Sequence, residues 1–421
     1  MTFFRLEAGD ALPQDLRRHM PEILYVPPQA MRAPLPGNSR NECLRGTPIA
    51  GDPATSVSLS DLDQAGAPRF AFDVARTIDS VLLEEYHPGL EPTAEMRLPF
   101  NYSLLPPWVK GLARLVRNGQ LSREPAISFP SAEPEFVVEW LRELAAWGNA
   151  PQSGRSGKIE WPNGHQAAVA ISHDVDTDWI FRHSNWLERF VAAEAEHGMI
   201  GGWYCVPAWS QSRQSEKGIQ RLIDLGCEVG CHGYNHDAKW PLLTGGGFAR
   251  RVEAVTDFRN RWGLRGFRSE WLWRTPQFLS TLARIFEYDT SVPTVSSLFT
   301  SGCRNGCGTC LPYITFGGMI ELPLTLPMDE HRHSSGLELD VFWHAQVERA
   351  AHIIERGGLV MLSLHPQPHQ AANAPTLAAV SSALKEIASI GNLWLARPDQ
   401  IADWARNSLK IGEAALARST A

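Results

Sequence analysis

The chain reads as an α/β protein, a (β/α) barrel of about seven strands preceded by a smaller, irregular N-terminal domain. Two observations predict it. From residue 165 short apolar runs alternate with amphipathic stretches, as strands and helices do in βα units. About seven such units occupy roughly 250 residues, which approaches the size of a (β/α) barrel. Before residue 150 the pattern is weaker and rich in proline, as in PPQAMRAPLPG at 27–37.

Taken in order, residues 1–155 form the N-terminal part, of unassigned role, with one convincing helix in EPEFVVEWLRELAAWG at 133–148. The segment NAPQSGRSGKIEWPNG at 149–164 clusters Gly, Pro, Ser and Asn, as linkers and turns do, and marks the boundary. The barrel then spans 160–410. Its strands are expected at 167–172, 201–207, 227–232, 263–269, 319–324, 358–365 and 391–396. Its helices are expected in SNWLERFVAAEAEHG, SEKGIQRLIDLG, FARRVEAVTDFRNRWG and FWHAQVERAAHIIERGG.

Composition narrows the function. The 421 residues are 43% apolar and 20% charged, ordinary for a globular enzyme, and the net charge is -7. With no basic run to follow a phosphate backbone, nucleic acid is excluded as an expected partner. No signal-peptide pattern opens the chain and no stretch of some eighteen apolar residues occurs, so a cytoplasmic protein with no transmembrane segment is expected. Seven cysteines fit reduced thiols better than a disulfide framework.

Four motifs carry chemistry. AVAISHDVDTDW places His173, Asp174, Asp176 and Asp178 after a strand-like run, where a barrel presents catalytic groups. In EVGCHGYNHDAKW, His232 and His236 are four apart with Gly233 between them; two imidazoles and one carboxylate leave positions open for water on a catalytic metal. In GLRGFRSEWLWRTP, Arg268 ends a strand and can hold a nearby carboxylate through paired hydrogen bonds. GLVMLSLHPQ ends a buried-type strand in His365, which suits a proton donor. Trp240, Trp271 and Trp273 lie near these motifs, and either stacking on a sugar ring or core packing suits them.

In this order the motifs resemble the polysaccharide deacetylase, or NodB-homology, family, related to carbohydrate esterase family 4. The resemblance covers about 160–410 and implies a distorted (β/α) barrel that removes N-acyl, chiefly acetyl, groups from amino sugars using one divalent metal ion such as zinc. The common first motif of that family is Thr-Phe-Asp-Asp-Gly; here Ser172-His173-Asp174-Val175-Asp176 stands in its place. Adjacency does not settle which carboxylate binds metal, but in relatives spelled Asp-Val-Asp the second does. The resemblance therefore implies Asp176, His232 and His236 as ligands, Asp174 as general base, Arg268 as its tether and His365 as the acid. Asp289, in FEYDTSVP, matches the fourth family motif and would orient His365. The family's Arg-Pro-Pro-Tyr-Gly is here Arg268-Ser269-Glu270-Trp271-Leu272, a departure at the usual backbone oxyanion donor that implies a different substrate pocket.

The expected partner is an amino-sugar glycan or its activated precursor, with covering the active-site mouth, a homodimer contact or docking to glycan-synthesis enzymes as roles for the N-terminal part. Two competing readings are an amidohydrolase of a small non-sugar amide or ureide and a non-catalytic carbohydrate-binding relative. Cys303, Cys307 and Cys310 follow the Cys-x3-Cys-x2-Cys spacing of cluster-binding enzymes. A structural zinc with His331 or His333 is a second reading of that loop, and buried free thiols are the expected one.

Overall fold

The computed structural model describes residues 2–32, 35, 41–49, 56–86, 96, 136–294 and 306–409. The N-terminal part corrects the expectation of irregularity. Strands β1 (Thr2–Ala8), β2 (Ile23–Val26), β3 (Glu42–Pro48), β4 (Val57–Leu62) and β5 (Pro68–Phe70) form an antiparallel sheet in the order β2-β1-β3-β4-β5. In β1, Phe4 and Leu6 are buried while Arg5 and Glu7 face solvent, the alternation of a sheet covered on one side. Around it lie α1 (Gln14–Arg18), α2 (Val74–Leu82), whose first turn is capped where Asp73 accepts the Arg76 N–H, and α3 (Val137–Trp147). Val292, Cys307 and Tyr313 from the second half join this core.

The second sheet is mostly parallel. It is built from β6 (Ala167–Val175), β7 (Gly202–Cys205), β8 (Glu228–His232), β9 (Gly266–Arg268), β10 (Tyr288–Asp289), β11 (Tyr313–Ile314), β12 (Ile320–Glu321), β13 (Leu359–Leu364) and β14 (Leu393–Leu395). The order is β11-β12-β10-β9-β8-β7-β6-β13, with β14 also on β6 and only β11 antiparallel. Among the described residues no ladder joins β12 to β13. The Leu326 N–H to Met361 carbonyl bond (3.3 Å) and the Met361 N–H to Thr325 Oγ1 bond (2.7 Å) cross that seam.

The helices are α4 (Trp179–Arg182), α5 (Ser184–Ala195), α6 (Arg213–Asp224), α7 (Gly245–Trp262), α8 (Pro276–Leu282), α9 (His331–Ser335), α10 (Leu339–Glu355), α11 (Ala374–Ala388) and α12 (Pro398–Ser408). Their starts carry readable chemistry: Ser212, Thr275 and Asn373 each accept an N–H from three residues on, and Pro276 opens α8.

Period-two alternation sorts each parallel strand between two cores. Ala167, Val169 and Ile171 of β6, Trp203 and Cys205 of β7, and Val360, Leu362 and Leu364 of β13 pack towards the helices. Ala168, Ala170, Tyr204, Tyr288, Leu359 and Met361 meet on the opposite, inner face. That interior is narrow. A Cβ on Gly230 would lie 2.5 Å from the Tyr204 ring, and one on Gly266 2.2 Å from Tyr288 Oη, so these two glycines make room for the two tyrosines. Among the described residues no helix is long and apolar enough to cross a membrane.

Trp203 sits wholly buried in the outer layer, stacked on His173 at 3.9 Å and edge-on to Phe190. Trp203→Ala is expected to cost about 3–5 kcal/mol of unfolding free energy in urea. A loss below about 1 kcal/mol would contradict the packing described for this layer.

Candidate metal centre and its flanking groups

The parity of β6 explains why consecutive residues of its motif do different things. His173, odd-numbered, points to the helix layer, where its Nε2 lies 2.6 Å from Glu194 Oε1 of α5. Ser172 and Asp174, even-numbered, point inwards. Asp174 Oδ1 accepts from Arg268 Nη1 at 2.8 Å. Asp176 lies just beyond the strand, over its C-terminal end.

Arg268 ends β9 on the inner face and is completely buried. A guanidinium there must spend its N–H groups on acceptors. It donates to Asp174, to Ser363 Oγ (2.5 Å), to Ser172 Oγ (2.9 Å), and to the carbonyl and Oγ1 of Thr290 at 3.0 and 3.1 Å. The face of Tyr204 lies 4.8 Å below its Cζ.

His232 closes β8. Its Nδ1 is 3.1 Å from the Arg268 carbonyl, which can only accept, so Nδ1 carries a proton and Nε2 is the nitrogen turned towards Asp176. That Nε2 lies 3.3 Å from Asp176 Oδ1, and His236 Nε2 lies 3.0 Å from the same oxygen. Ligand atoms of Asp176, His232 and His236 all fall within 4.8 Å of one another, a two-imidazole, one-carboxylate set that could hold a metal ion. The other Asp176 oxygen accepts from Gln367 Nε2 at 2.9 Å, which fixes the carboxylate's rotation. Although burial opposes its charge, His236 and His365 hold the Asp176 carboxyl well below the usual range.

His365 follows β13. Its Nδ1 is 2.7 Å from Asp329 Oδ1 and its backbone N–H donates to Asp329 Oδ2 at 3.0 Å, while Nε2 faces Asp174 Oδ2 at 4.0 Å. Burial lowers its proton affinity, but Asp329 and then Asp176 outweigh that and raise the imidazole well above its ordinary value.

The structure corrects several expectations. Asp289 does not touch His365: on β10 it lies opposite in parity to the inward Tyr288, and it accepts from Ser291 while lying beside Glu321. Glu321 is pushed well above the carboxylate range by burial and then by Asp289. Asp329 takes the orienting position instead. Trp240, 1% exposed, packs edge-on against Phe267 and Phe278, and Trp273, 2% exposed, packs with Met96 and Ala238, so neither offers a face to a sugar. Trp271 alone of the three keeps exposed surface.

Cys303 lies outside the described residues. Cys307 and Cys310 are buried cysteines outside any disulfide, and among the described residues neither they nor His331 and His333 belong to a group that could hold a metal. Burial drives the Cys307 thiol well above its usual range, as in an inert cysteine.

Sequence reasoning missed Asp329, Gln367 and the role of Glu270. The signals were faint: a polar MDEH after the apolar ELPLTLP, and a glutamine two places past His365. The N-terminal part also reaches this region. Arg274 Nε donates to Glu84 Oε2 at 2.8 Å, while its Nη1 donates to the Leu272 carbonyl at 2.7 Å.

No protein-family model matches the chain, and no curated protein matches it. Among solved structures it is similar to a "putative polysaccharide deacetylase" from Mycobacterium smegmatis, at 18% identity and a TM-score of 0.48 over 60% of this chain and 94% of that one. It is also similar to a "probable Polysaccharide deacetylase" from Pseudomonas aeruginosa PAO1 (16%, 0.46, 63% and 98%). A third is Puue allantoinase (15%, 0.46, 63% and 97%).

Removing the guanidinium alone strands Asp174 in the interior. Arg268→Leu is expected to cost about 3–5 kcal/mol in urea unfolding. Asp174→Leu/Arg268→Leu together should recover part of that loss; a double variant as unstable as the sum of the singles would contradict the pairing.

Proposed function

We propose that this chain is a metal-dependent hydrolase of the polysaccharide deacetylase type. It removes an N-acyl group, acetyl first among them, from an amino-sugar glycan or its activated precursor, and its parallel sheet works as a distorted (β/α) barrel. One observation carries the reading: Asp176, His232 and His236 converge at the strand ends while Asp174 and His365 face each other beside them.

The donor set suits zinc, with Asp176 and the Nε2 atoms of His232 and His236 as ligands. When bound, a divalent ion supplies Lewis-acid polarisation of the acyl carbonyl and of water. The chain's own groups do the proton work. Asp174 is held by Arg268 through Oδ1, and its Oδ2 accepts a proton from the attacking water. His365, kept cationic by Asp329, delivers a proton from Nε2 to the departing amine, which would otherwise be a very poor leaving group. Trp271, on the loop after Arg268, is the remaining aromatic for a sugar face. The complete set of base, acid and ligands favours an enzyme over a carbohydrate-binding relative.

Zinc content and acetate release from a panel of N-acetylated sugars and activated precursors test the assignment. Asp174→Asn should keep its metal and lose about 10²–10⁴ in kcat, whereas Asp176→Ala should lose the metal itself. Wild-type protein with neither metal nor turnover on amides would sink the proposal.

A second expectation concerns pH. Asp329 raises the His365 pKa, so Asp329→Asn lowers it and the imidazolium is lost at lower pH. The alkaline limb of kcat/KM should therefore move towards neutrality in a rate series across pH. An unmoved limb removes His365 from the acid's role.

A further inference from the structure

The loop that carries His236 has an unusual internal economy. Between β8 and α7 the backbone takes left-handed angles at Gly233 (φ +58°), His236 (+57°) and Ala238 (+55°). Outside glycine such angles are uncommon and persist where surrounding structure over-determines them. A second loop, after β9, shows the same at Trp271 (+54°) and Leu272 (+57°). Four of the seven non-glycine residues with positive φ among the described residues thus lie in these two loops.

One side chain joins them. Glu270, 2% exposed, projects from the second loop into the concave side of the first. Its Oε1 accepts the backbone N–H groups of Tyr234 (2.7 Å), Asn235 (2.9 Å) and His236 (2.6 Å), and its Oε2 accepts that of Ala238 (2.6 Å). Gly233 is required by this contact, because a Cβ there would lie 2.1 Å from Glu270 Cγ. The carboxylate is therefore a template: three part-buried amides and one buried amide turn around it, and the turn delivers the His236 ring to Asp176.

We propose that Glu270 is the positioning residue of the metal centre, holding the 233–238 loop in the one backbone shape that brings His236 Nε2 onto the ion bound by Asp176 and His232. This rests on the metal-site reading above. Glu270 acts through the backbone N–H of His236, and it stands where the resembled family has proline.

The isosteric change Glu270→Gln isolates the claim. An amide keeps one oxygen for Tyr234, Asn235 and His236 but turns an N–H₂ towards the Ala238 N–H, so the loop loses its template without losing side-chain volume. Full-length protein is stripped with a chelator and titrated with Zn²⁺ alone, then Co²⁺ alone, against a chromophoric competitor. Wild type is expected to bind one equivalent, and Glu270→Gln to bind about 10–100-fold more weakly, the usual cost of losing an outer partner of a ligand. The Co²⁺ visible spectrum of the variant should change shape, reporting altered ligation that a merely less stable protein would not show. Leu384→Ala, in α11 and outside both loops, supplies a destabilised control that should keep wild-type metal affinity.

If Glu270→Gln does not yield folded protein, Glu270→Asp retains the acceptor oxygens one methylene short and should fall between the two in affinity. Wild-type affinity and spectrum in the Glu270 variants, or weakening no greater than in Leu384→Ala, overturns this proposal alone. Failure of the wild type to bind either ion would instead overturn the hydrolase reading on which it rests.

Discussion

A guanidinium wholly withdrawn from water has to be surrounded by acceptors, and Arg268 meets that demand by drawing on four separate segments of the parallel sheet. Ser172 and Asp174 come from β6, Ser363 from β13, Thr290 from the residue after β10, and the Tyr204 ring from β7. Burying such a charge is costly unless each contact is in place, so the Arg268 site ties the register of these strands to one another. The geometry of the candidate site inherits that tie. With Oδ1 held by Arg268, Asp174 turns only Oδ2 towards His365, and the Arg268 carbonyl holds a proton on Nδ1 of His232.

The site was legible in the sequence to the extent that it lies at the ends of long, strongly apolar strands. β6 and β13 are nine and six residues long, each buried throughout, and the polar residues that follow them were recognisable as strand-end groups. Alternation along such a strand also separates His173 from Asp174, one into the helix layer and one into the interior. Where strands shrink, that signal disappears. β10 has two residues, too few for any periodicity, and the side on which Asp289 falls could not be read. Asp329 comes from a loop 36 residues before His365, a pairing that only the fold creates.

The N-terminal sheet was missed for a related reason. Its β2, ILYV, is buried throughout, so it lacks the alternation that marks a half-exposed strand. β3 and β4 pair with register shifts between Glu42 and Arg45 that blur the period further. Prolines at 27 and 28 then read as part of an irregular stretch, whereas they begin the turn after β2. The tryptophans show the opposite error. Nearness to a motif suggested a sugar platform, but Trp240 and Trp273 follow the commoner course of large aromatics and fill the core.

The charges around the proposed ion give the loop's architecture a second consequence. Asp174 is balanced by Arg268 and Asp329 by His365. Asp176 and Glu270 are left facing the same small region, one through its oxygens and one through the amides it collects. Their combined pull appears at His236: burial disfavours its cation, yet Asp176 first and Glu270 after it raise the imidazole to about 9. Glu270 is thus coupled to His236 twice, through the backbone N–H groups it collects and through the charge it places near the imidazole.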